Sequence, residues 1–398
     1  MIINADLHIH SKYSMATSKN MTIPIIAAQC QRKGIDLMAT GDAFHSKWLD
    51  HLEESLVEIK NSGIYTSCVG DNQTNFVTTV EVEDKSRIHH LIIIPSIDVA
   101  WSMRDEFTVK NMDADGRPKI RMDASQIIQI ARDYNCIIGP AHVFTPWTGL
   151  FKKYDTIIDC YKTRPDFIEL GLSADTNLAS RIGQLDDYTF LTNSDSHSPW
   201  PHRIAREFNK IQLDDISYDS LCSAIINNQI VENYGMDPRM GKYHETGCIS
   251  CYRIYSLDEA EKLNMKCCCG GRIKKGVVAR INQLTTRSSL QHSKHPPYQY
   301  ILPLAELLSA IYNKGISTKF VQTRYDKLIE LFGNEISILV DVDIRKIASH
   351  DKLLADVIKM YRLNKLNVIV GRGGRYGQVD YTHKCSYNRS IIYYRENL

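Results

Sequence analysis

Short apolar, β-prone runs alternate with helical stretches from residue 1 to about residue 210. The runs are Met1–Ala5, Ile35–Thr40, Phe76–Val80, Ile137–Ala141, Phe167–Leu170 and Tyr188–Leu191. Between them, Thr22 as an N-cap and Gly34 as a C-cap delimit a predicted helix at Ile23–Lys33. Asp123–Tyr134 is a second predicted helix. This alternation predicts an α/β fold with parallel strands.

The pattern changes after this first region. Residues 210–243 are predicted to close it, with a helix at Tyr218–Asn227 and a linker at Pro238–Lys242. A short cysteine-rich segment follows, and the remainder is predicted to be mainly helical. Its elements are helices at Leu302–Asn313, Thr318–Phe332 and Asp343–Lys359, and a β-prone run at Leu366–Val370. We therefore expect three domains, at residues 1–240, 244–276 and 277–398.

Histidine, aspartate or glutamate residues follow most of these predicted strands. His8 and His10 have the i, i+2 spacing that places both on one face of a strand, and Asp195-x-His197 repeats it. A lone His-x-His is more often a surface pair, but two such motifs favour a nitrogen/oxygen metal cluster. In a barrel of βα units the strand ends converge on one mouth. The predicted ligands are His8, His10, Asp42, His45, Glu81, His142, Asp195 and His197.

That many ligands would hold two or three metal ions, with Glu81 bridging two of them. Other residues near the strand ends are weaker candidates. His89 and His90 precede a strand that can direct one of them to the mouth, and one buried plus one solvated histidine is the favoured outcome. Asp98 and Glu169 are weaker still. Asp6 is expected to orient a histidine ring through its second nitrogen.

The cysteine-rich segment predicts a second metal site. Cys248-x-x-Cys251 is one knuckle, and Cys267-Cys268-Cys269 followed by two glycines supplies the other. Four thiolates in tetrahedral geometry form a closed structural zinc site, which a module this small needs in order to fold. We predict Cys267 and Cys269 as the second pair of ligands, with Cys268 unligated or an alternate. Free thiols are the competing explanation.

Composition narrows the class of protein. The 398 residues suffice for two or three domains, and a net charge of +2 does not by itself indicate a nucleic-acid partner. Eleven cysteines, an odd number and mostly scattered, favour a cytoplasmic protein that binds metal over a disulfide framework. No stretch approaches ~18 uninterrupted apolar residues, and the N-terminus has no basic-then-apolar leader. Neither a membrane span nor a signal peptide is expected.

Two stretches in the second half carry basic residues without acids, at residues 272–294 and 359–375. In the segment Gly371–Gly377, arginines flank glycines, so that backbone amides and guanidinium groups could approach a phosphate together. The segment lacks the Gly-Lys-Ser/Thr ending of a nucleotide-binding loop. From charge alone, a solvated basic face explains these stretches equally well.

Several segments together resemble the PHP (polymerase and histidinol phosphatase) superfamily. They are ADLHIHSKYSMATSKNM, TGDAFH, TTVEVE, GPAHVFTPW, IELGLSAD and NSDSHSP. The segments CISC…CCCGGRIKKGV, HPPYQYILPLAEL and GRGGRYG are closer to one branch, the endonuclease Q family of archaea and bacteria. This resemblance covers nearly the whole chain. It implies a distorted (β/α)7 barrel with a trinuclear metal centre, a four-cysteine zinc module and a mainly helical C-terminal region.

The resemblance also implies an activity. The protein would nick DNA on the 5′ side of uracil, hypoxanthine, xanthine or an abasic site, by a two- or three-metal mechanism using Zn, Mn or Mg. Asp195 and Glu81 would be catalytic ligands, and His197 a ligand or proton carrier. Duplex DNA, with single-stranded DNA as a further candidate, would meet basic and aromatic side chains. These are Lys274, Lys275, Arg372, Arg375 and Tyr376.

Some points stay open at this level. Many PHP proteins carry an Asp or His ligand where this chain has Tyr13-Ser14-Met15-Ala16, so Asp42 or His45 would have to compensate. The base pocket could involve Ser11–Lys19, Ser173–Asn177 or Gly371–Gly377. No sliding-clamp peptide is evident in the final residues, Tyr393–Leu398.

Two other functions compete. One is a PHP phosphatase acting on a small phosphomonoester, which would need neither the cysteine module nor the basic stretches. The other is a non-catalytic nucleic-acid-binding protein, which would not need so complete a ligand set.

Overall fold

The computed structural model describes residues 1–68, 74–286 and 294–380. The chain divides into two compact units. The first comprises residues 1–171, 187–234 and 294–297, and the second comprises residues 172–186, 235–293 and 298–398. Arg287, in the first basic stretch, and the segment Tyr393–Leu398 lie outside the described residues. The three predicted domains at residues 1–240, 244–276 and 277–398 stay a proposal.

Strands and helices are numbered here in chain order. The strands are β1 Ile2–Asp6, β2 Leu37–Ala39, β3 Leu56–Glu58, β4 Ile64–Ser67, β5 Asn75–Glu83, β6 His89–Ile94, β7 Ile137–Pro140, β8 Phe167–Glu169, β9 Thr189–Leu191, β10 Phe208–Gln212, β11 Ile230–Gly235, β12 Gly247–Cys248, β13 Ile273–Lys274, β14 Tyr298–Tyr300, β15 Asn367–Ile369 and β16 Gln378–Asp380. The helices are α1 Ile23–Lys33, α2 Ser46–Ser55, α3 Ile97–Met103, α4 Ala124–Asp133, α5 Ile157–Tyr161, α6 Thr176–Ala179, α7 Tyr218–Ile226, α8 Leu257–Lys262, α9 Val277–Leu284, α10 Leu304–Tyr312, α11 Lys319–Phe332, α12 Ile344–Ala348 and α13 Lys352–Arg362.

The first unit is built on a distorted barrel whose strands follow one another as β1, β2, β5, β6, β7, β8 and β9. Strand ladders pair β1 with β2, β2 with β5, β5 with β6, β6 with β7, and β8 with β9. Backbone hydrogen bonds link the remaining neighbours: Asp166 N donates to Ile138 O, and His10 N donates to Ser196 O. Strands β10 and β11 extend the sheet beside β1, and β4 and β3 extend it beside β5. The predicted distorted α/β barrel is confirmed.

The expectation of parallel strands is wrong for β6, which is antiparallel to both β5 and β7. The cause is local, because only Asp84–Ile88 separates β5 from β6, which is too short for a crossover to a parallel strand. The Asp84 carboxylate accepts from the amides of Ser86 and Ile88 and fixes this turn. The start of β6 therefore lies at the mouth where the neighbouring parallel strands end.

The predicted helices of the first unit form with small adjustments at their ends. Helix α1 has the predicted bounds and ends at Gly34 in the left-handed region, at φ 89°, although Thr22 makes no side-chain capping bond. Helix α4 begins after a capping box formed by Asp123 and Gln126. The core between the sheet and α7 is apolar, with Leu7, Leu91 and Phe167 among its fully buried residues.

The second unit contains the cysteine module and a helical region. Strands β12 and β13 pair as an antiparallel ribbon around the cysteines. Helices α10, α11 and α13 share an apolar core with Leu308, Val321 and Tyr325 at its centre. The single helix predicted at Asp343–Lys359 is instead two, α12 and α13, because Asp351 caps a new helix by accepting from the Leu354 amide.

None of the helices in the described part of the chain is long and apolar enough to cross a membrane.

Candidate metal centre

His8 follows β1 and presents one ring nitrogen to the interior of the mouth. Its Nδ1 lies 3.0 Å from both carboxylate oxygens of Glu169, which fixes the ring. Its Nε2 is buried without a hydrogen-bond partner among the described residues, and lies 3.8 Å from Glu81 Oε1 and 3.7 Å from Asp195 Oδ1. A carboxylate that binds Nδ1–H leaves the Nε2 lone pair available, which is the usual arrangement behind a metal-binding histidine.

His10 is held in the same way by Asp42. Its Nδ1 lies 3.0 Å from Asp42 Oδ1, while Nε2 lies 3.1 Å from Asp195 Oδ1 and 3.3 Å from Glu81 Oε2. Asp42 has a φ of 49°, and its other oxygen accepts from the Ser11 amide and the Ser14 hydroxyl. The carboxylate is thus fully engaged in orienting the ring and the segment after it.

Glu81 lies where three histidines converge. Its Oε1 is 2.8 Å from His89 Nδ1 and 2.8 Å from His142 Nε2, and its Oε2 is the oxygen that faces His10. Glu81 belongs to the second half of β5, and His142 follows β7. His89 is the first residue of β6, which the reversed direction of that strand brings to this mouth. Both oxygens of this carboxylate therefore face imidazole nitrogens.

Asp195 and His197 complete the group from the segment after β9. Asp195 has a φ of 47°, and both side chains are partly exposed. His197 Nδ1 lies 3.0 Å from the Asp195 backbone oxygen, so Nδ1 carries the proton and Nε2 holds the lone pair in the neutral ring. Burial, followed by the neighbouring His10, lowers the pKa of His197, which favours that neutral form.

The ligand atoms form three overlapping groups, each within 4.8 Å: His8, His10 and Glu81; His10, Asp195 and His197; Glu81, His89 and His142. The structure therefore brings six of the eight predicted side chains together and adds His89. Asp42 reaches the group through His10 Nδ1. His45 is stacked on the Tyr13 ring at 4.3 Å and is in none of the three groups.

Of the weaker candidates near the strand ends, some lie in or beside the ligand group and others do not. Glu169 is fully buried against His8, and His90 is buried rather than solvated, with Nδ1 2.5 Å from the Tyr161 hydroxyl. The expectation of a solvated partner for His89 was wrong. Asp98 is exposed in the first turn of α3. The Asp6 carboxylate accepts from the Ser194 and His8 backbone amides and not from a histidine ring.

The electrostatics of the group favour a bound cation. Burial would lower the pKa of His8, but attraction to Glu169 and Glu81 outweighs it and raises that pKa to about 9. Burial would raise the pKa of Glu81, yet His89 and His8 hold it well below its usual range. The pKa of Asp195 is likewise well below its usual range, despite burial, because of the hydrogen bond from His10. Both carboxylates therefore stay ionised, and a mixed set of imidazoles and carboxylates fits divalent metals.

The second unit contains a separate group of four sulfur atoms. Cys248, Cys251, Cys267 and Cys269 place their Sγ atoms within 4.8 Å of one another, with 3.6 Å between Cys248 and Cys269 and 3.5 Å between Cys251 and Cys267. Zn–S bonds of about 2.3 Å in a tetrahedron give S–S separations of ~3.8 Å, so this arrangement fits. Cys268 is exposed and outside the group.

The glycine-rich segment Gly371–Gly377 is folded against residues 239–248 of the same unit. Its amides mostly donate to carbonyl oxygens: Gly371 to Arg239, Gly374 to Lys242, and Gly377 to Met240. A Cβ on Gly373 would lie 2.2 Å from the Cys248 oxygen. The glycines therefore allow close backbone packing, and the Gly371, Gly374 and Gly377 amides are engaged within the protein. A phosphate contact by this segment stays a prediction.

The basic side chains of this region differ in availability. Arg372 is held by the carbonyl oxygens of Tyr252 and Val370, at 2.9 and 2.8 Å. Arg375 is exposed, with its guanidinium over the Tyr252 ring at 5.6 Å. Lys242 lies over the Tyr376 ring at 4.6 Å. Lys274 and Lys275 are partly exposed, and Lys275 also donates to Gln283.

The chain matches two solved structures along nearly its whole length. Lesion-specific endonuclease Q from Pyrococcus furiosus is 41% identical with a TM-score of 0.91, covering 95% of each chain. Endonuclease Q in complex with a 27-mer duplex carrying an abasic lesion at the active site is 40% identical with a TM-score of 0.90, covering 98% of this chain and 99% of that one. The chain belongs to the endonuclease Q family. Both units of this endonuclease Q family member fall within the match.

A family model and a relative from a methanogenic archaeon match parts of this endonuclease Q family member. The family MJ0043 C-terminal domain matches residues 303–365, the helical part of the second unit. An uncharacterised protein, MJ0043 of Methanocaldococcus jannaschii, is 42% identical over 273 residues. That alignment covers 67% of this chain and 34% of the relative, so the chain spans about a third of that longer protein.

Proposed function

We propose that this protein is a metal-dependent DNA endonuclease that cuts the strand on the 5′ side of a damaged base. The observation that carries the proposal is the match over 98% of the chain to an endonuclease Q bound to a lesion-containing duplex. The cluster of imidazoles and carboxylates supports it, because hydrolysis of a phosphodiester is a reaction that such clusters catalyse. The proposed lesions are uracil, hypoxanthine, xanthine and abasic sites.

The mouth of the barrel is the proposed catalytic centre. His8, His10, Glu81, His89, His142, Asp195 and His197 are the proposed ligands of two or three divalent ions, which are Zn, Mn or Mg. Such ions supply a nucleophilic water at neutral pH and neutralise charge on the phosphate and leaving oxygen. Glu169 and Asp42 hold the rings of His8 and His10 so that each Nε2 faces the carboxylates. His45, which stacks on Tyr13, is proposed to support that segment and not to bind metal.

His197 is proposed to serve as a ligand or a proton carrier. Its Nδ1 is engaged with the Asp195 backbone, so that Nε2 is the nitrogen able to take a proton or a metal. Partial exposure places it at the rim, where substrate arrives, whereas His8 and His10 are fully buried. The four-cysteine group is proposed to hold one structural Zn²⁺, since no substrate could approach a site closed by four thiolates.

Selection of a damaged base is proposed to rely on extrusion of the nucleotide from the duplex. A deaminated or missing base costs less to unstack and unpair than an intact one, which supplies part of the discrimination. The segment Ser11–Lys19 is a candidate for the pocket wall because it follows the histidine ligands directly, and Tyr13 within it is partly exposed. Lys274, Lys275, Arg372, Arg375 and Tyr376 are proposed to contact the DNA backbone, and Arg375 is more exposed than Arg372.

Replacing Arg375 with alanine is expected to weaken duplex binding through loss of one phosphate contact. The slope of log K against log salt concentration should become shallower by about one, because one fewer counterion is displaced. Fluorescence anisotropy over a range of salt concentrations measures this slope. Arg345→Ala is the matched control, because Arg345 is paired with Asp343 at 2.7 Å. Equal slopes for wild type and Arg375→Ala would remove Arg375 from the interface.

A nicking assay tests the proposed function as a whole. Labelled duplexes with one uracil, hypoxanthine or abasic site are compared with an undamaged duplex, in the presence of magnesium or manganese and after chelation. Metal-dependent cleavage 5′ of the lesion, with the undamaged duplex intact, is the expected result. Release of phosphate from small monoesters without lesion-dependent nicking would replace the proposal by a phosphatase. Binding without either reaction would indicate a non-catalytic protein.

A further inference from the structure

A short insertion between α3 and α4, residues 111–117, is fastened to the segments around the proposed catalytic centre. The Asp113 carboxylate accepts from the amide and the hydroxyl of Ser46, both at 2.8 Å, and from Arg104 Nη2 at 2.7 Å. Asp115 Oδ1 accepts from the Met15 amide at 3.3 Å. The insertion is thereby anchored both at the start of α2 and at the segment that follows His10.

Gly116 brings the backbone of the insertion against Asp42 and the segment that follows His10. Its amide donates to the Tyr13 backbone oxygen at 3.2 Å. A Cβ at this position would lie 2.2 Å from Asp42 Oδ2 and 2.5 Å from Ser14 Oγ, so any side chain would displace the carboxylate that orients His10. The absence of a side chain at Gly116 lets the backbone reach Asp42, and this directs the next residue into the mouth.

That next residue is Arg117, which brings a permanent positive charge to the ligand group. Its Nη1 lies 3.1 Å from Glu81 Oε2, and this is its only side-chain hydrogen bond among the described residues. Its side chain is 23% exposed whereas that of Glu81 is fully buried, so the guanidinium lies at the rim of the mouth. Further N–H groups of the fork remain available for oxygen acceptors.

The Glu81 oxygen that Arg117 contacts is also one that the proposed metal ions would need. Glu81 already has His10, His89 and His142 around its two oxygens. When Glu81 neutralises metal ions, a guanidinium beside it is repelled by them unless an anion lies between. A phosphate is such an anion, and the guanidinium fork matches two phosphate oxygens.

We propose that Arg117 binds the phosphate that is cut, donating to its non-bridging oxygens from the rim of the mouth beside Glu81. This inference rests on the proposed endonuclease function, because it requires a phosphodiester at the mouth. Arg117 is thus assigned a direct substrate contact, and the insertion that carries it sets the position of the phosphate relative to Glu81 and Asp195.

The test compares Arg117→Ala, Arg117→Lys and, as a matched control, Arg121→Ala, which removes an exposed arginine a few residues away. Binding of an abasic-site duplex is measured by anisotropy in an Asp195→Asn background, and single-turnover cleavage is measured with Asp195 intact. Loss of charge-assisted hydrogen bonds predicts roughly 10- to 100-fold weaker binding for Arg117→Ala. Arg117→Lys should recover part of the loss, since it restores charge but not the fork, and Arg121→Ala should match wild type.

A second duplex identifies the phosphate. A neutral methylphosphonate replaces the phosphate 5′ of the lesion, and binding of both arginine variants is repeated. If Arg117 contacts that group, the difference between wild type and Arg117→Ala should largely disappear on this duplex. A penalty that persists at full size would overturn the assignment. So would binding by Arg117→Ala within twofold of wild type on the natural duplex.

Metal content and melting temperature separate this contact from a purely structural role. If Arg117 only supports Glu81, Arg117→Ala would lose metal or stability while DNA affinity per folded, metal-loaded molecule stays unchanged, and the proposal would be wrong. If the alanine variant does not fold, the same binding measurements on Arg117→Lys test the phosphate contact. Failure of the endonuclease proposal is distinguishable, because wild type itself would then not nick lesion-containing DNA.

Discussion

Asp195→Asn is expected to abolish cleavage while leaving the fold intact. The asparagine keeps the shape of the side chain and one oxygen, but removes the negative charge that lies 3.1 Å from His10 Nε2 and 3.7 Å from His8 Nε2. Groups pre-positioned to stabilise charge at a reacting centre are worth roughly 100- to 1,000-fold in rate. A carboxylate proposed to bind metal at the centre should reach at least that range. Single-turnover nicking of a uracil duplex at saturating metal measures the effect.

Asp98→Asn is the matched control for this change. Asp98 is exposed in the first turn of α3, so the same chemical change there should leave nicking at the wild-type rate. Melting temperatures of the two variants should be similar, because Asp195 is partly exposed and makes its contacts to side chains of the mouth. Cleavage by Asp195→Asn at a rate close to that of wild type would contradict the assignment of the catalytic centre.

The spacing of ligands along the chain predicted much of this centre. His8-x-His10 and Asp195-x-His197 could be recognised because alternate residues of a strand share a face, and the two motifs meet through the Ile9–Ser196 bridge. His89 could not be assigned, since periodicity does not give the direction in which a strand runs. The sequence feature that indicates the direction of β6 is its five-residue separation from β5, which permits only a hairpin.

Asp42 and Glu169 show a second limit of sequence reasoning. Both are carboxylates at strand ends, and nothing local distinguishes a metal ligand from a residue that orients a histidine. The distinction depends on which ring nitrogen each meets, and both meet Nδ1. The glycines of Gly371–Gly377 show a third limit, because glycines near arginines fit both phosphate binding and close backbone packing. Only the three-dimensional position of residues 239–248 decides for packing.

The division into compact units also depends on long-range contacts. Residues 172–186 belong to the second unit although they lie between β8 and β9 of the barrel, and residues 294–297 belong to the first. Composition changes little at these positions. A prediction that treats each domain as one continuous segment therefore misses units that are built from several segments. The helix break at residues 349–351 is easier to predict from the sequence. Asp351 is a strong N-cap residue and is followed by apolar positions at helical spacing.

Cys251→Ser is expected to release the structural metal and destabilise the second unit. Structural zinc binding contributes roughly 10–16 kcal/mol to the folding of small modules, and a serine hydroxyl is a poor substitute for a thiolate. Cys251 Sγ lies 3.5 Å from Cys267 Sγ within the group of four, so its loss leaves three sulfur ligands. Loss of about one zinc per chain by elemental analysis, together with a lower melting temperature, is the expected result.

Cys268→Ser is the control that the three adjacent cysteines provide. Its sulfur is exposed and lies 3.8 Å from Arg253 Nη1, outside the group formed by Cys248, Cys251, Cys267 and Cys269. The variant should retain its zinc and melt as wild type does. If Cys268→Ser loses zinc while Cys269→Ser retains it, the ligand assignment at the second knuckle is wrong. If Cys251→Ser changes neither the zinc content nor the melting temperature, the four sulfur atoms are free thiols, and the module folds through its buried cluster, which includes Tyr255, Ala260 and Ile273.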